Sequence, residues 1–236
     1  ISACLVGSEM CIRDRSLNVQ PAELKSALDA APPELLAALE QARRNITLFA
    51  ERQMPREFTL KLPDGHRAGQ VVRPLESAGA YIPAGRYPLP STLLMTIVPA
   101  QVAGVPLLCA TCPRPGPVIL ATAAFLGLNR VFRAGGAQAI AALAFGTETV
   151  PRVERIVGPG NMYVAAAKKL LAGEVGIDFV AGPTEILIIS RDGDPRVLAA
   201  DMLAQAEHDV EAAAILVTTS RRLAKSVARE MDKQLE

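Results

Sequence analysis

Apolar residues recur every three to four positions in the early part of the chain, then gather into short runs separated by helical stretches. A helical pattern begins at Pro21. Pro33-Glu34-Leu35-Leu36 opens a long amphipathic helix, with Leu36, Leu39, Ala42, Ile46 and Phe49 on one face and Pro55 as its stop. Residues 56–72 alternate in polarity around the turn signal Pro63-Asp64-Gly65, which predicts a hairpin. Beyond it the pattern predicts strands at 106–110, 130–133, 153–157, 185–190 and 212–218. Helices are predicted at 117–126, 137–145, 162–172 and 195–207, and again after the last strand. Strands joined by crossover helices predict the α/β class, with a doubly wound, mostly parallel sheet.

The first fifteen residues, ISACLVGSEMCIRDR, break this pattern: they have no clear period and hold two of the four cysteines. MCIRDR looks like translated adapter sequence, so residues 1–15 are expected to be a non-native tail. The expected division is that tail, a helical and hairpin segment over 16–72, and an α/β region over 73–236 in which a second domain starts or is incomplete.

Composition narrows the function classes. Hydrophobic residues make up 50% and aromatics only 4%, which suits α/β layers packed through small side chains. Lys and Arg number 25 against 24 Asp and Glu, with no basic stripe, so a nucleic-acid partner is not expected. Arg221, Arg222 and Lys225 read as the solvated face of a helix. No apolar run reaches the ~18 residues of a membrane span, and a membrane partner is not expected. The few cysteines argue against a disulfide framework and for a cytoplasmic location.

Two glycine loops fall between a predicted strand and a predicted helix: Arg133-Ala134-Gly135-Gly136-Ala137-Gln138 and Val157-Gly158-Pro159-Gly160-Asn161. Glycine lets a ligand approach the backbone, and a helix start presents unpaired N–H groups, so a phosphate or dinucleotide site is one reading. Neither loop is a GxGxxG or P-loop pattern, and tight-turn packing is the other reading. Ala181-Gly182-Pro183-Thr184-Glu185 is a turn whose Thr184 hydroxyl could face a substrate. Gln205 and His208 lie about 60° apart on one helical face, beside the apolar stripe Leu198, Met202 and Ala206. They suit two positions of a zinc site; the alternative is a helix-end imidazole complementing the dipole. Cys109-Ala110-Thr111-Cys112 closes a strand, with no histidine near in sequence, and reads as two ordinary buried thiols. His66 reads as a surface residue of the hairpin.

Together these segments resemble histidinol dehydrogenase. The resemblance rests on Tyr81-Ile82-Pro83-Ala84-Gly85 with Pro90-Ser91-Thr92, on Gly135 to Leu143, on Gly158 to Asn161, on Ala181 to Glu185 and on Leu203 to His208. They stand in the family's order and spacing, over about residues 17–236. It implies two Rossmann-like domains, an intertwined homodimer, and oxidation of L-histidinol to L-histidine through the aldehyde with two NAD reduced, the last step of histidine biosynthesis. It also implies that Tyr81, Gln138 and Asn161 contact NAD, that Thr184 contacts substrate, and that Gln205 and His208 bind both zinc and substrate.

Thr184 stands where the family usually has Ser, and Ala84 where it usually has Gly. The family's catalytic Glu-His pair and its remaining zinc ligands are expected beyond Glu236, so no catalytic residue is assigned in this chain and the chain alone is expected to be inactive. Arg86-Tyr87-Pro88 near the expected cleft keeps open a relative acting on another alcohol, such as a sulfonated diol. A non-catalytic binding fragment is the third reading.

Overall fold

The computed structural model describes residues 17–84, 88–179, 185–208 and 212–235, with the side chain of His208 outside the description. They fall into two compact units, one up to residue 180 and one from residue 181. The first runs α1 (Pro21–Asp29), α2 (Pro33–Gln53), β1 (Phe58–Lys61), β2 (Arg67–Gln70), β3 (Ser77–Tyr81), α3 (Pro90–Val102), β4 (Leu107–Thr111), α4 (Pro117–Phe125), β5 (Val131–Phe132), α5 (Gly136–Phe145), β6 (Arg155–Val157), α6 (Met162–Leu171) and β7 (Gly176–Ile177). The second runs β8 (Ile186–Ile189), α7 (Pro195–His208), β9 (Ala214–Val217) and α8 (Arg221–Leu235). The tail predicted over 1–15 lies outside the described residues.

Proline sets where α1, α2, α3, α4 and α7 begin. Its missing N–H costs nothing at the first helical position, and its fixed φ suits the helix. Along α2, Leu39 and Ala50 are buried, and Leu35, Leu36, Ala42 and Ile46 pack against the core. Phe49 is 67% exposed, contrary to the sequence expectation. The buried stripe steps from Ile46 to Ala50 instead, the four-residue spacing that keeps a helix on one side. β1 and β2 form the expected antiparallel hairpin, exposed along both strands.

β3 to β7 form one parallel sheet in the order β5-β4-β3-β6-β7. Alternate residues feed two cores, as a pleated strand requires. Ala80, Ala110, Cys112 and Val131 join α1 to α4 on one face. Tyr81, Cys109, Phe132 and Ile156 join α5 and α6 on the other. The sequence pattern did not predict β3, α3 or β7. β3 is Ser-Ala-Gly-Ala-Tyr, buried throughout. Its residues are small because α5 lies close above: a Cβ on Gly79 would stand 2.8 Å from the Leu143 side chain.

In the second unit β8 and β9 pair in parallel. α7 and α8 cover one face through Ala199, Met202, Leu223 and Val227. Ala206 is exposed, so the buried stripe of α7 ends at Met202 and Gln205 is half-buried.

Candidate functional site

The chain winds from β3 outward through β4 to β5, then returns to lay β6 on the other side of β3. The direction of winding reverses between β3 and β6. In open α/β sheets the crevice beyond the carboxyl ends of the strands at such a reversal is where ligands bind. The segments gathered there are Ile82-Pro83-Ala84 after β3, Pro113 after β4, Ala134-Gly135 after β5, Gly158 to Asn161 after β6, and Asp178 after β7. Residues 85–87, with Arg86 and Tyr87, lie outside the described residues.

Both glycine loops need glycine for contact. A Cβ on Gly135 would stand 2.2 Å from the Pro113 ring, and one on Gly158, whose φ is +114°, 2.2 Å from the Tyr81 carbonyl oxygen. Gly135 and Gly158 are themselves buried, and the exposed positions of the second loop are Pro159 and Asn161.

Tyr81 is 3% exposed, and its hydroxyl accepts from the Gly136 N–H at 3.1 Å. Gly136 starts α5, whose N-cap Gly135 offers no side-chain acceptor. Gln138 is half-buried, with Oε1 2.9 Å from where a Gly136 Cβ would stand, so its amide folds back over the loop. Asn161 is exposed and caps α6: Oδ1 accepts from the N–H groups of Tyr163 and Val164, both at 3.1 Å. A ligand would therefore meet the Nδ2 donors of Asn161. Glycine loops opening onto α5 and α6 are a setting that suits a dinucleotide, with the Gly136, Tyr163 and Val164 N–H groups already bonded within the chain.

Beneath the second loop lies a pair that the sequence reading missed. Lys168 on α6 is 3% exposed, and its Nζ donates to Asp178 Oδ1 at 2.6 Å and to the Gly158 carbonyl at 2.5 Å. Asp178 Oδ2 accepts from the Gly158 N–H at 2.7 Å. A signal existed, because Lys168 stands four residues after the fully buried Val164, on the apolar face of α6.

Gln205 and His208 occupy the last turn of α7. An amide oxygen and an imidazole fit two of the roughly four donors zinc takes. Among the described residues no group of three or more His, Cys, Asp or Glu stands where it could hold a metal. Thr184 lies outside the described residues. His66 is exposed and pairs with Asp64 at 3.0 Å. Cys109 and Cys112 are free and buried, on opposite faces of the sheet. Burial pushes the Cys109 thiol up to about 12 and the Cys112 thiol up to about 11. A cleft of about 490 Å³, lined by Leu107, Leu108, Asn129 and Arg130, opens at the amino ends of β4 and β5, the wrong end of the sheet for this crevice.

Strand order, winding reversal and paired glycine loops define the first unit as a Rossmann-type parallel α/β fold. A family model described as histidinol dehydrogenase matches residues 8–236. The histidinol dehydrogenase of Listeria monocytogenes is 44% identical over 230 residues, covering 95% of this chain and 54% of that protein. That of Halalkalibacterium halodurans is 47% identical over 226 residues, covering 93% and 53%. The crystal structure of histidinol dehydrogenase from Elizabethkingia anophelis superposes with a TM-score of 0.87 at 37% identity, covering 93% of this chain and 52% of that one. The chain belongs to the histidinol dehydrogenase family, and it spans about half the length of the relatives it matches.

Proposed function

We propose that the protein carrying this chain oxidises L-histidinol to L-histidine with NAD as hydride acceptor and zinc bound at the substrate. The observation that carries the reading is the seating of both glycine loops at the winding reversal of a parallel sheet, in a chain of this family. In this reading the first unit holds the dinucleotide. The loops at Gly136 and Gly158 border it, and Tyr81, Gln138 and the Nδ2 of Asn161 offer its polar contacts. Gln205 and His208 provide two zinc donors and touch substrate, and the Thr184 hydroxyl orients it. Bound zinc would polarise the substrate oxygen and bound NAD would take up hydride. No residue of this chain is assigned as the base that removes the alcohol proton.

A homodimer and a cytoplasmic location belong to the same reading. Among the described residues no helix is long and apolar enough to cross a membrane.

The test is NADH production by the full-length, zinc-loaded protein given L-histidinol, repeated after chelation. Histidinol-dependent NADH that chelation abolishes supports the reading. Turnover of an anionic diol but not of histidinol would keep the dehydrogenase and discard the substrate.

A further inference from the structure

We propose that Lys168 and Asp178 are positioning residues for the dinucleotide, a clamp that fixes the backbone of Gly158 at the floor of its site. The proposal rests on the dinucleotide reading above and adds residues that touch no ligand.

The clamp closes on a single residue. The Gly158 N–H donates to Asp178 Oδ2 at 2.7 Å, and its carbonyl accepts from Lys168 Nζ at 2.5 Å. The two side chains close the ring at 2.6 Å. Asp178 Oδ1 also accepts from the Phe179 N–H at 2.8 Å, and Nζ stands 5.7 Å from the Phe179 ring centre. Gly158 thus has both hydrogen-bonding groups taken, at φ +114°, against the Tyr81 carbonyl. Pro159 and the Asn161 cap carry that rigidity into α6.

Stability alone does not account for the arrangement. Taking an ammonium and a carboxylate out of water is costly, and a packed apolar pair often serves a fold as well. A charged pair adds direction, because it dictates which way the two peptides flanking Gly158 face. A loop that receives phosphate or ribose through its backbone needs that orientation set before the ligand arrives. The clamp reaches it through α6 and the end of β7, while Pro159 and Asn161 stay exposed.

The test is steady-state kinetics of the full-length enzyme, varying NAD and L-histidinol separately, with the melting temperature alongside. The variant is Lys168→Met combined with Asp178→Leu, which strands neither charge but leaves the Gly158 N–H and carbonyl without their partners. The expected result is a lowered melting temperature, because buried backbone groups lose their partners, together with a KM for NAD raised about tenfold or more, as loss of a preset charged hydrogen bond implies. The KM for histidinol should move by less than about twofold, because the residues proposed to bind it are untouched. A merely structural pair would lower stability and leave the two KM values in proportion. Unchanged KM for NAD, or an equal rise in both constants, overturns the clamp while leaving the dinucleotide reading intact. Should the double variant fail to fold, Asp178→Asn is scored on the same constants. Wild-type enzyme that binds no NAD overturns the dinucleotide reading, and the clamp with it.

Discussion

The hydroxyl of Tyr81 accepts a hydrogen bond from the backbone N–H of Gly136 at 3.1 Å, while the carbonyl of the same tyrosine is the surface against which Gly158 packs. One residue at the end of the central strand therefore sets the height of both glycine loops. Tyr81→Phe keeps the ring in its core and removes only the hydroxyl. It should lower the free energy of unfolding by about 1 kcal/mol, the net worth of one neutral hydrogen bond. The Gly136 amide should exchange with solvent faster, which hydrogen exchange measures. Unchanged protection at Gly136 would show that the hydroxyl does not hold the loop.

Gly158 and Gly173 both adopt positive φ, +114° and +106°, but in different surroundings. A Cβ on Gly173 meets nothing within 4 Å. Gly173→Ala should cost only backbone strain, about 1 kcal/mol. Gly158→Ala adds a collision with the Tyr81 backbone and should cost at least about 3 kcal/mol, or leave the protein unfolded. Urea unfolding of the two variants side by side measures the gap, and equal costs would contradict the close approach.

The contrast between β3 and its neighbours explains what the sequence disclosed. α4 and α5 were legible because proline or glycine punctuates their starts and apolar residues fill them. β3 was not, because its strand character comes from the neighbours that hydrogen-bond it on both sides, while its residues are small to admit α5. α3 is apolar on most of its circumference and contains Pro99, so it shows no clean stripe. β7 is two residues long and exists by pairing with β6. At the site the glycine loops were legible from their place between strand and helix. The clamp was not, because Lys168 and Asp178 meet only after the chain turns through β7.

Cys109 and Cys112 give a pH-dependent test. Their ordinary value is 9.0; burial pushes the first up to about 12 and the second up to about 11, against smaller opposing effects from Arg130 and Arg114. Between 9.0 and these values an unfolded chain has lost protons that the folded chain keeps. The stabilisation from neutral thiols is therefore complete below 9.0 and drains away as pH rises through the folded values. At pH near ~8 both thiols should resist alkylation in the native protein and react fully in denaturant. Peptide mapping after alkylation checks this, and native-state labelling of either would refute their burial.

Asn161 separates capping from ligand contact. Asn161→Ala removes the acceptor of two N–H groups and should cost about 1 kcal/mol of stability. Asn161→Asp keeps an acceptor for Tyr163 and Val164 and complements the helix dipole, so stability should hold. It loses the Nδ2 donors, however, and brings negative charge to a loop proposed to receive a dinucleotide. NAD affinity should fall about tenfold or more in that variant, measured by titration of the full-length protein. Equal stability with equal NAD affinity would limit Asn161 to the cap.

The two-stranded sheet β8–β9 carries an apolar face on each side, and only one is covered. Leu187, Ile189, Ile215 and Val217 are 58%, 74%, 46% and 49% exposed, whereas Ile188, Ala214 and Leu216 pack against the helices. The register sets Leu187 beside Ile215 and Ile189 beside Val217, so the four form one patch. Parallel strands are normally covered on both faces, and contiguous apolar surface of this kind attracts apolar partners. The 236-residue chain should therefore bind an apolar dye such as ANS and associate as its concentration rises. Ile189→Thr with Val217→Thr keeps β-branched residues in the strands while making half the patch polar. That double variant should reduce both dye binding and association without loss of helical circular dichroism. If dye binding is unchanged, the apolar surface lies elsewhere, with the exposed Phe58 and Leu60 of the hairpin as the next pair to replace.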